Sequence, residues 1–238
     1  MLKDAIQYLV SLKDNQTYEF FGDIYSDREL HRVEPHIDHP GTLSLYGLDS
    51  AVQMVRNELD MLTNLPLFIQ VGGPDEVVVF STFGEAMTRD FLYSVKSDVP
   101  VFSPGFREYE RAVIELRSRF VPSEGTEYML SLLSSISKDS NVTSSDNGVS
   151  QTVEARQGIS LKAKVKIEPR VKLRPYRTFL EVEQPESEFL LRLDGQGNVG
   201  LFEADGGMWM MDAKKNIRDY FEKALAQEIA QGKVVVMM

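Results

Sequence analysis

Cysteine is absent from this 238-residue chain. That one absence excludes disulfides, thiolate metal sites and cysteine nucleophiles, and it fits a reducing compartment such as the cytoplasm. Histidine occurs only three times and tryptophan once. No nucleophile elbow, phosphate-binding P-loop or H-E-x-x-H motif is present. No assembled catalytic set is therefore expected, no catalytic residue is assigned and no cofactor is implied. The opening MLKDAIQYLVSLKDN is too short and too charged to span a bilayer. It also lacks a basic leader with a small-residue cleavage site, so it reads as an amphipathic helix.

Positive charge is in deficit overall, with a formal net charge of −10. That balance disfavours non-specific binding to a nucleic-acid duplex, which depends on phosphate neutralisation. Apolar content of 42% with 26% charged residues is ordinary for a globular protein.

The cations that are present concentrate in one place. Lys162, Lys164 and Lys166 alternate with apolar residues, and Arg170, Lys172 and Arg174 do so again, with seven Lys or Arg against one acid (Glu168) between Leu161 and Arg177. Side chains alternate across a strand, so each run places its cations on one face. Two readings are open. The stripe is either a solvated face paired with the acids that follow (Glu181, Glu183, Glu186, Glu188), or a face for an anion. The sharper ligand-binding candidate is its end: Lys172, Arg174, Tyr176, Arg177 and Thr178. Guanidiniums beside an aromatic ring and a hydroxyl suit a phosphate and a stacked base.

Periodicity outlines the elements. Leu2, Ile6, Leu9 and Val10 have helical spacing. Residues 42–46 alternate as a strand, then Asp49 or Ser50 caps a helix carrying Ala51, Val55, Leu59 and Leu62. Residues 67–71 and 76–83 form a hairpin across Gly72-Gly73-Pro74. Ser103-Pro104 starts a helix burying Phe106, Tyr109, Val113, Leu116 and Phe120. Ser123 starts another with Tyr128, Met129, Leu132, Leu133 and Ile136 inward. The polar stretch after Lys138 is a loop or a hairpin mouth around Asp146-Asn147-Gly148. Strands then follow at 149–155, 159–167, 178–184, 189–193 and 199–204. A helix over 213–231 buries Ile217, Phe221 and Leu225, and the VVVMM tail wants a sheet edge or another subunit.

The expectation is an α+β fold, with a mixed α/β portion over 1–138 and a β-rich antiparallel portion over 139–238 closed by a helix. One intertwined domain is the alternative. A homo-oligomer is expected from the apolar tail and the methionines.

Three further strings invite chemistry. Gly195-Gln-Gly197-Asn-Val-Gly200 spells G-x-G-x-x-G, but a strand follows rather than a helix, so it reads as a hairpin turn. Glu203-Ala-Asp205-Gly-Gly-Met-Trp209 has too few oxygen ligands for a Mg²⁺ or Ca²⁺ site. It reads as a glycine turn in which Asp205 binds local amides and Trp209 packs in the core. His31, His36 and His39, with Glu34 and Asp38 between them, are a weak alternative metal site in a proline-broken loop.

The succession SDNGVSQTV, LRPYRTFLEVEQPESEFLLRL and LFEADGGMWMMDAKKNIRDYF, within 144–225, resembles the YfdQ-like family of phage and prophage proteins, a domain of unknown function. The resemblance implies a bacteriophage or prophage origin, in gene neighbourhoods concerned with early functions or recombination, and no established activity. Three functions fit. One is a cytoplasmic, non-enzymatic binding protein, such as a counter-defence protein sequestering a nucleotide-type signal, another anionic small molecule or a host protein. The second is an accessory factor of phage DNA recombination or replication. The third is a metal-dependent hydrolase using the histidines. No membrane partner is expected, and nucleic acid is disfavoured by the net charge.

Overall fold

The computed structural model describes residues 2–11, 17–20, 23–26, 41–59, 62, 65–84, 89–100, 102–135, 141–146, 151–157, 160–194 and 196–238, with 11, 20, 23–25, 141–146, 151–157 and 160–166 described for their main chain only. Two compact units are present, residues 1–39 and 40–238. In the first, α1 (Leu2–Ser11) has the expected helical spacing, and Leu2, Ile6, Leu9 and Val10 are all exposed. β1 (Thr17–Phe20) pairs antiparallel with β2 (Asp23–Ser26).

In the second unit the chain runs β3 (Leu43–Tyr46), α2 (Leu48–Glu58), β4 (Leu67–Val71), β5 (Glu76–Phe80), β6 (Phe91–Lys96), β7 (Gly105–Arg107), α3 (Tyr109–Ser118) and α4 (Glu124–Ser135). It continues through β8 (Asn141–Asp146), β9 (Gln151–Gln157), β10 (Ser160–Ile167), β11 (Arg170–Leu173), β12 (Ser187–Leu193), β13 (Val199–Glu203), α5 (Trp209–Ala224), α6 (Ala226–Ala230) and β14 (Val234–Met237). The fold is α+β.

A five-stranded mixed sheet has the order β14-β4-β5-β6-β3. Its centre is an antiparallel meander, with β14 parallel to β4 and β3 parallel to β6 at the edges. Alternation in β4 and β5 sends Leu67, Ile69, Val71, Val77 and Val79 to one face, where they bury against Ala51 and Val55 of α2 and Ile217 and Phe221 of α5. A four-stranded antiparallel sheet, β11-β12-β13-β7, packs Leu173, Phe189, Leu191 and Leu201 against Leu116 of α3 and Met129 and Leu133 of α4. β8, β9 and β10 form a third, antiparallel sheet, so the polar stretch read as a loop or hairpin mouth enters a strand at Asn141.

The sheets do not divide at residue 138. The VVVMM tail supplies β14 at the edge of the first sheet, and α5 covers that sheet, while β7 from the first half joins the second sheet. The two halves of the chain exchange elements.

Three local readings are corrected. Gly105–Arg107 pairs with β13 instead of opening a helix at Ser103-Pro104, so α3 begins at Tyr109 and Phe106 is exposed. The first turn of α2 takes no cap from Asp49 or Ser50. Gly47 sits at φ +86 and the Leu48 amide donates to Glu181 Oε1 at 2.7 Å, a carboxylate from 133 residues away that also complements the helix dipole. Residues 178–184 alternate like a strand yet pair with none, because one side chain takes their backbone groups. Buried Gln184 accepts the Arg177 and Thr178 amides on Oε1 (3.0 and 3.3 Å) and donates through Nε2 to the Phe179 and Val182 carbonyls (2.9 and 3.3 Å). Ser123 does cap α4: its Oγ accepts the Thr126 amide, and Thr126 Oγ1 accepts the Ser123 amide. Ile136 lies outside the described residues.

Gln184→Ala strips partners from two amides and two carbonyls. Unsatisfied buried polar groups cost about 1–3 kcal/mol each where water cannot reach them, so urea unfolding should show a loss of about 3 kcal/mol or more. Gln184→Glu keeps only the acceptor role and should fall between the two.

Candidate functional site

The segment between β11 and β12 ties the two large sheets together, and a cleft opens beside it. The Tyr176 amide donates to the Arg119 carbonyl at 2.9 Å, and the Val121 amide donates to the Arg174 carbonyl at 2.8 Å, fixing the segment to the end of α3. Three residues further on, Phe179 is buried in the first core. The Thr178 hydroxyl donates to the Pro74 carbonyl, and Asn216 Nδ2 of α5 donates to the Glu183 carbonyl at 2.8 Å.

The cleft has a volume of about 830 Å³, within the range of small-molecule sites. Tyr46 and Gly47 form one wall, Ser97–Pro100 a second, Ser118 and Arg119 a third, and Tyr176 with Phe179–Glu181 the fourth. Tyr46 and Leu180 are exposed. Arg119, the last residue of the α3 end, is exposed and has no ion pair among the described residues. The lining also carries two carboxylates, Asp98 and Glu181, of which Glu181 is held by the Leu48 amide. The cleft thus carries one guanidinium against two carboxylates, and Tyr46 and Tyr176 share its lining.

The five candidate residues from the sequence do not meet at one surface. Lys172 pairs with Glu186 at 3.2 Å, and Arg174 with Glu183 at 2.9 Å. Arg170, their neighbour in the stripe, pairs with Glu188 at 3.0 Å. Lys172 and Arg174 line a separate groove of about 650 Å³ that carries Glu124, Glu168, Glu186 and Glu188 against three cations. All three cations there are engaged by glutamates, so none is left to meet an anion. Lys162, Lys164 and Lys166 lie on β10, and their side chains lie outside the described residues, as do His31, His36 and His39 entirely. Only Tyr176 faces the cleft.

Arg177 and Thr178 are buried. The Arg177 guanidinium donates to Glu203 Oε1 at 2.8 Å and to the Ser187 hydroxyl, and its plane lies 3.9 Å from the Trp209 ring centre. Its Nε is buried with no hydrogen-bond partner among the described residues. Burial pushes this guanidinium down to about 10, against the opposing pull of Glu203 and Asp205, so it stays charged at neutral pH. Burial works to raise Asp205, but the Ser187 hydroxyl, the Gly207 amide and the Arg177 charge outweigh it and hold the carboxyl below its ordinary value. Gly206 and Gly207, at φ +65 and +82, turn the chain there. The EADGG string is the turn the sequence implied, but Trp209 belongs to neither core: it is half-buried against the Arg177 guanidinium, which supplies the face its ring packs on. Gly195 lies outside the described residues; from Gln196 on, the G-x-G-x-x-G string leads into β13, which pairs antiparallel with β12, and Asp194 accepts the Gln196 and Asn198 amides.

Among the described residues no cluster of His, Asp and Glu could hold a metal ion, and no helix is long and apolar enough to cross a membrane. Comparison with protein-family models, with curated proteins and with solved structures gave no match. Sequence reasoning missed Tyr46, Arg119 and Glu181 as neighbours. Nothing local marks them, since they come from three distant segments.

Two predictions follow from the arginines. Arg177→Ala leaves Glu203 and the Ser187–Asp205 pair without their cation and should cost about 3 kcal/mol in urea unfolding, whereas Arg174→Ala breaks a surface pair and should change stability by less than about 1 kcal/mol. Asp205, with its folded value depressed, contributes stability that is complete above the unfolded value near 4 and lost as pH falls through the lower folded value. Acid unfolding of Asp205→Asn should therefore show a smaller loss of stability below about pH 4 than that of the unaltered chain.

Proposed function

We propose that this chain is a phage- or prophage-encoded binding protein that sequesters a small nucleotide-type ligand in the Tyr46–Arg119–Tyr176 cleft, as a counter-defence protein would. The observation that carries the reading is a cleft of about 830 Å³ whose lining brings together Tyr46, Tyr176 and an exposed Arg119 that has no ion pair among the described residues. Phenol rings offer flat apolar faces to a base, and a guanidinium takes a phosphate bidentately. The nearby Asp98 and Glu181 limit the charge of the occupant. A single phosphate or phosphodiester fits, and a polyphosphate is repelled. The origin rests on the resemblance carried by 144–225.

A ligand that binds only the folded state stabilises it by mass action, by about 2.7 kcal/mol at one hundred times Kd. Thermal melts against nucleoside monophosphates and cyclic mono- and dinucleotides should raise Tm by several degrees for at least one of them, and nucleoside triphosphates should be weaker. Arg119→Ala and Tyr176→Ala should each abolish the shift while leaving the unliganded Tm nearly unchanged, because the contacts that fix the segment there are main-chain ones. A shift that survives both substitutions, or no shift with any of these compounds, contradicts the reading.

A further inference from the structure

A row of three phenylalanines crosses the face of the five-stranded sheet opposite α2 and α5. In β4 and β5 the core takes Leu67, Ile69, Val77 and Val79, so alternation turns Phe68 and Phe80 to the other face, where they are direct cross-strand partners. Strict alternation in β6 would put Phe91 on the core side with Tyr93 and Val95. A bulge prevents this: Val79 pairs with Tyr93 and Phe80 with Phe91, leaving Leu92 without a partner. Leu92 packs against the core, and Phe91 is re-aimed beside Phe80. The ring centres of Phe68 and Phe80 are 5.4 Å apart, and those of Phe80 and Phe91 are 5.8 Å apart.

The outer members of this group are not hidden. Phe91 and Phe83 are each 54% exposed. Arg89 lies over the group, with its guanidinium 4.1 Å from the Phe83 ring centre and 5.3 and 5.7 Å from those of Phe80 and Phe68. One nitrogen donates to the Ser81 carbonyl at 3.3 Å, and Arg89 has no ion pair among the described residues. A bulge that turns a phenylalanine out of a core and toward water costs burial, and such devices accumulate where a strand serves a site.

Exposed rings at the end of a cross-strand aromatic row, with a guanidinium over them, match the chemistry of unpaired bases. Bases splayed from a single strand stack on sheet-borne aromatics, and arginine adds both stacking and charge. A duplex presents no such free faces, and the net charge of −10 opposes its dense phosphates. We propose that the exposed rings of Phe83 and Phe91, backed by half-buried Phe68 and buried Phe80 and flanked by Arg89, form a stacking platform for single-stranded nucleic acid. The platform shares no residue with the cleft, so the two readings stand or fall separately.

The test is fluorescence anisotropy of labelled oligothymidylate and oligouridylate with the full chain, against a duplex of equal length, over a range of salt. Binding of one or both single strands in preference to the duplex is expected, and the two arms decide between DNA and RNA. Phe91→Leu keeps the volume and removes the ring, and it should weaken binding about tenfold or more. Phe91→Tyr should retain it. Arg89→Ala should reduce the slope of log affinity against log salt by about one. Urea midpoints of the variants check that the fold is kept. No single-strand binding at tens of micromolar protein overturns the proposal, as does binding unchanged by Phe91→Leu with an intact fold. Light scattering that shows a dimer converted to monomer by Phe91→Leu also overturns it, because the face then belongs to a second copy.

Discussion

Four hydrogen bonds from the Gln184 amide and one buried guanidinium hold the strip of chain on which the rest of this unit depends. Between Leu173 and Ser187 the backbone leaves one sheet, crosses to the other core and returns, without pairing in either. Its peptide groups would be stranded away from water, and Gln184 takes four of them. Arg177 then fastens the start of the strip to Glu203 and Ser187, while Glu181 at its middle caps α2. A single segment therefore sets the distance between two hydrophobic cores, and the cleft is the gap beside it.

The electrostatics follow a simple division. Where cations are dense, acids answer them: Arg170, Lys172 and Arg174 each reach a glutamate, and Arg177 reaches Glu203. Surface pairs of this kind add little to stability, but they cancel the local field that would draw an anion. Among the described residues, Arg119 by the cleft and Arg89 by the phenylalanines have no ion pair, as have several exposed helix cations such as Arg117 and Lys223. Each of the first two stands next to aromatic rings. Charge density in the sequence therefore pointed toward the neutralised surface, and the unpaired charges sit elsewhere.

Much of the fold was legible. The β4–β5 hairpin, the serine cap of α4 and the apolar stripe of α5 obey local rules that hold wherever the element finally packs. The α+β class came from the same patterns. What stayed hidden depends on distant partners. Residues 178–184 have a strand's alternation, but Gln184 satisfies their backbone from the side. The Ser103-Pro104 pair looks like a helix start, but β13 claims Gly105–Arg107. The outward turn of Phe91 requires a bulge that only the register with β5 reveals. Of the candidate site, Tyr176 alone was in place, because Tyr46 and Arg119 are brought to it by the tertiary fold rather than by spacing.

The central claim is that the cleft beside the Gln184-braced segment holds a small anionic ligand in the infected cell. Native mass spectrometry of the full chain purified from phage-infected, defence-active bacteria tests it most directly. The account predicts one retained small molecule per chain, released on denaturation, absorbing as a nucleobase and missing from the Tyr176→Ala protein. A chain that emerges with no added mass, or one whose added mass survives Tyr176→Ala, would contradict it.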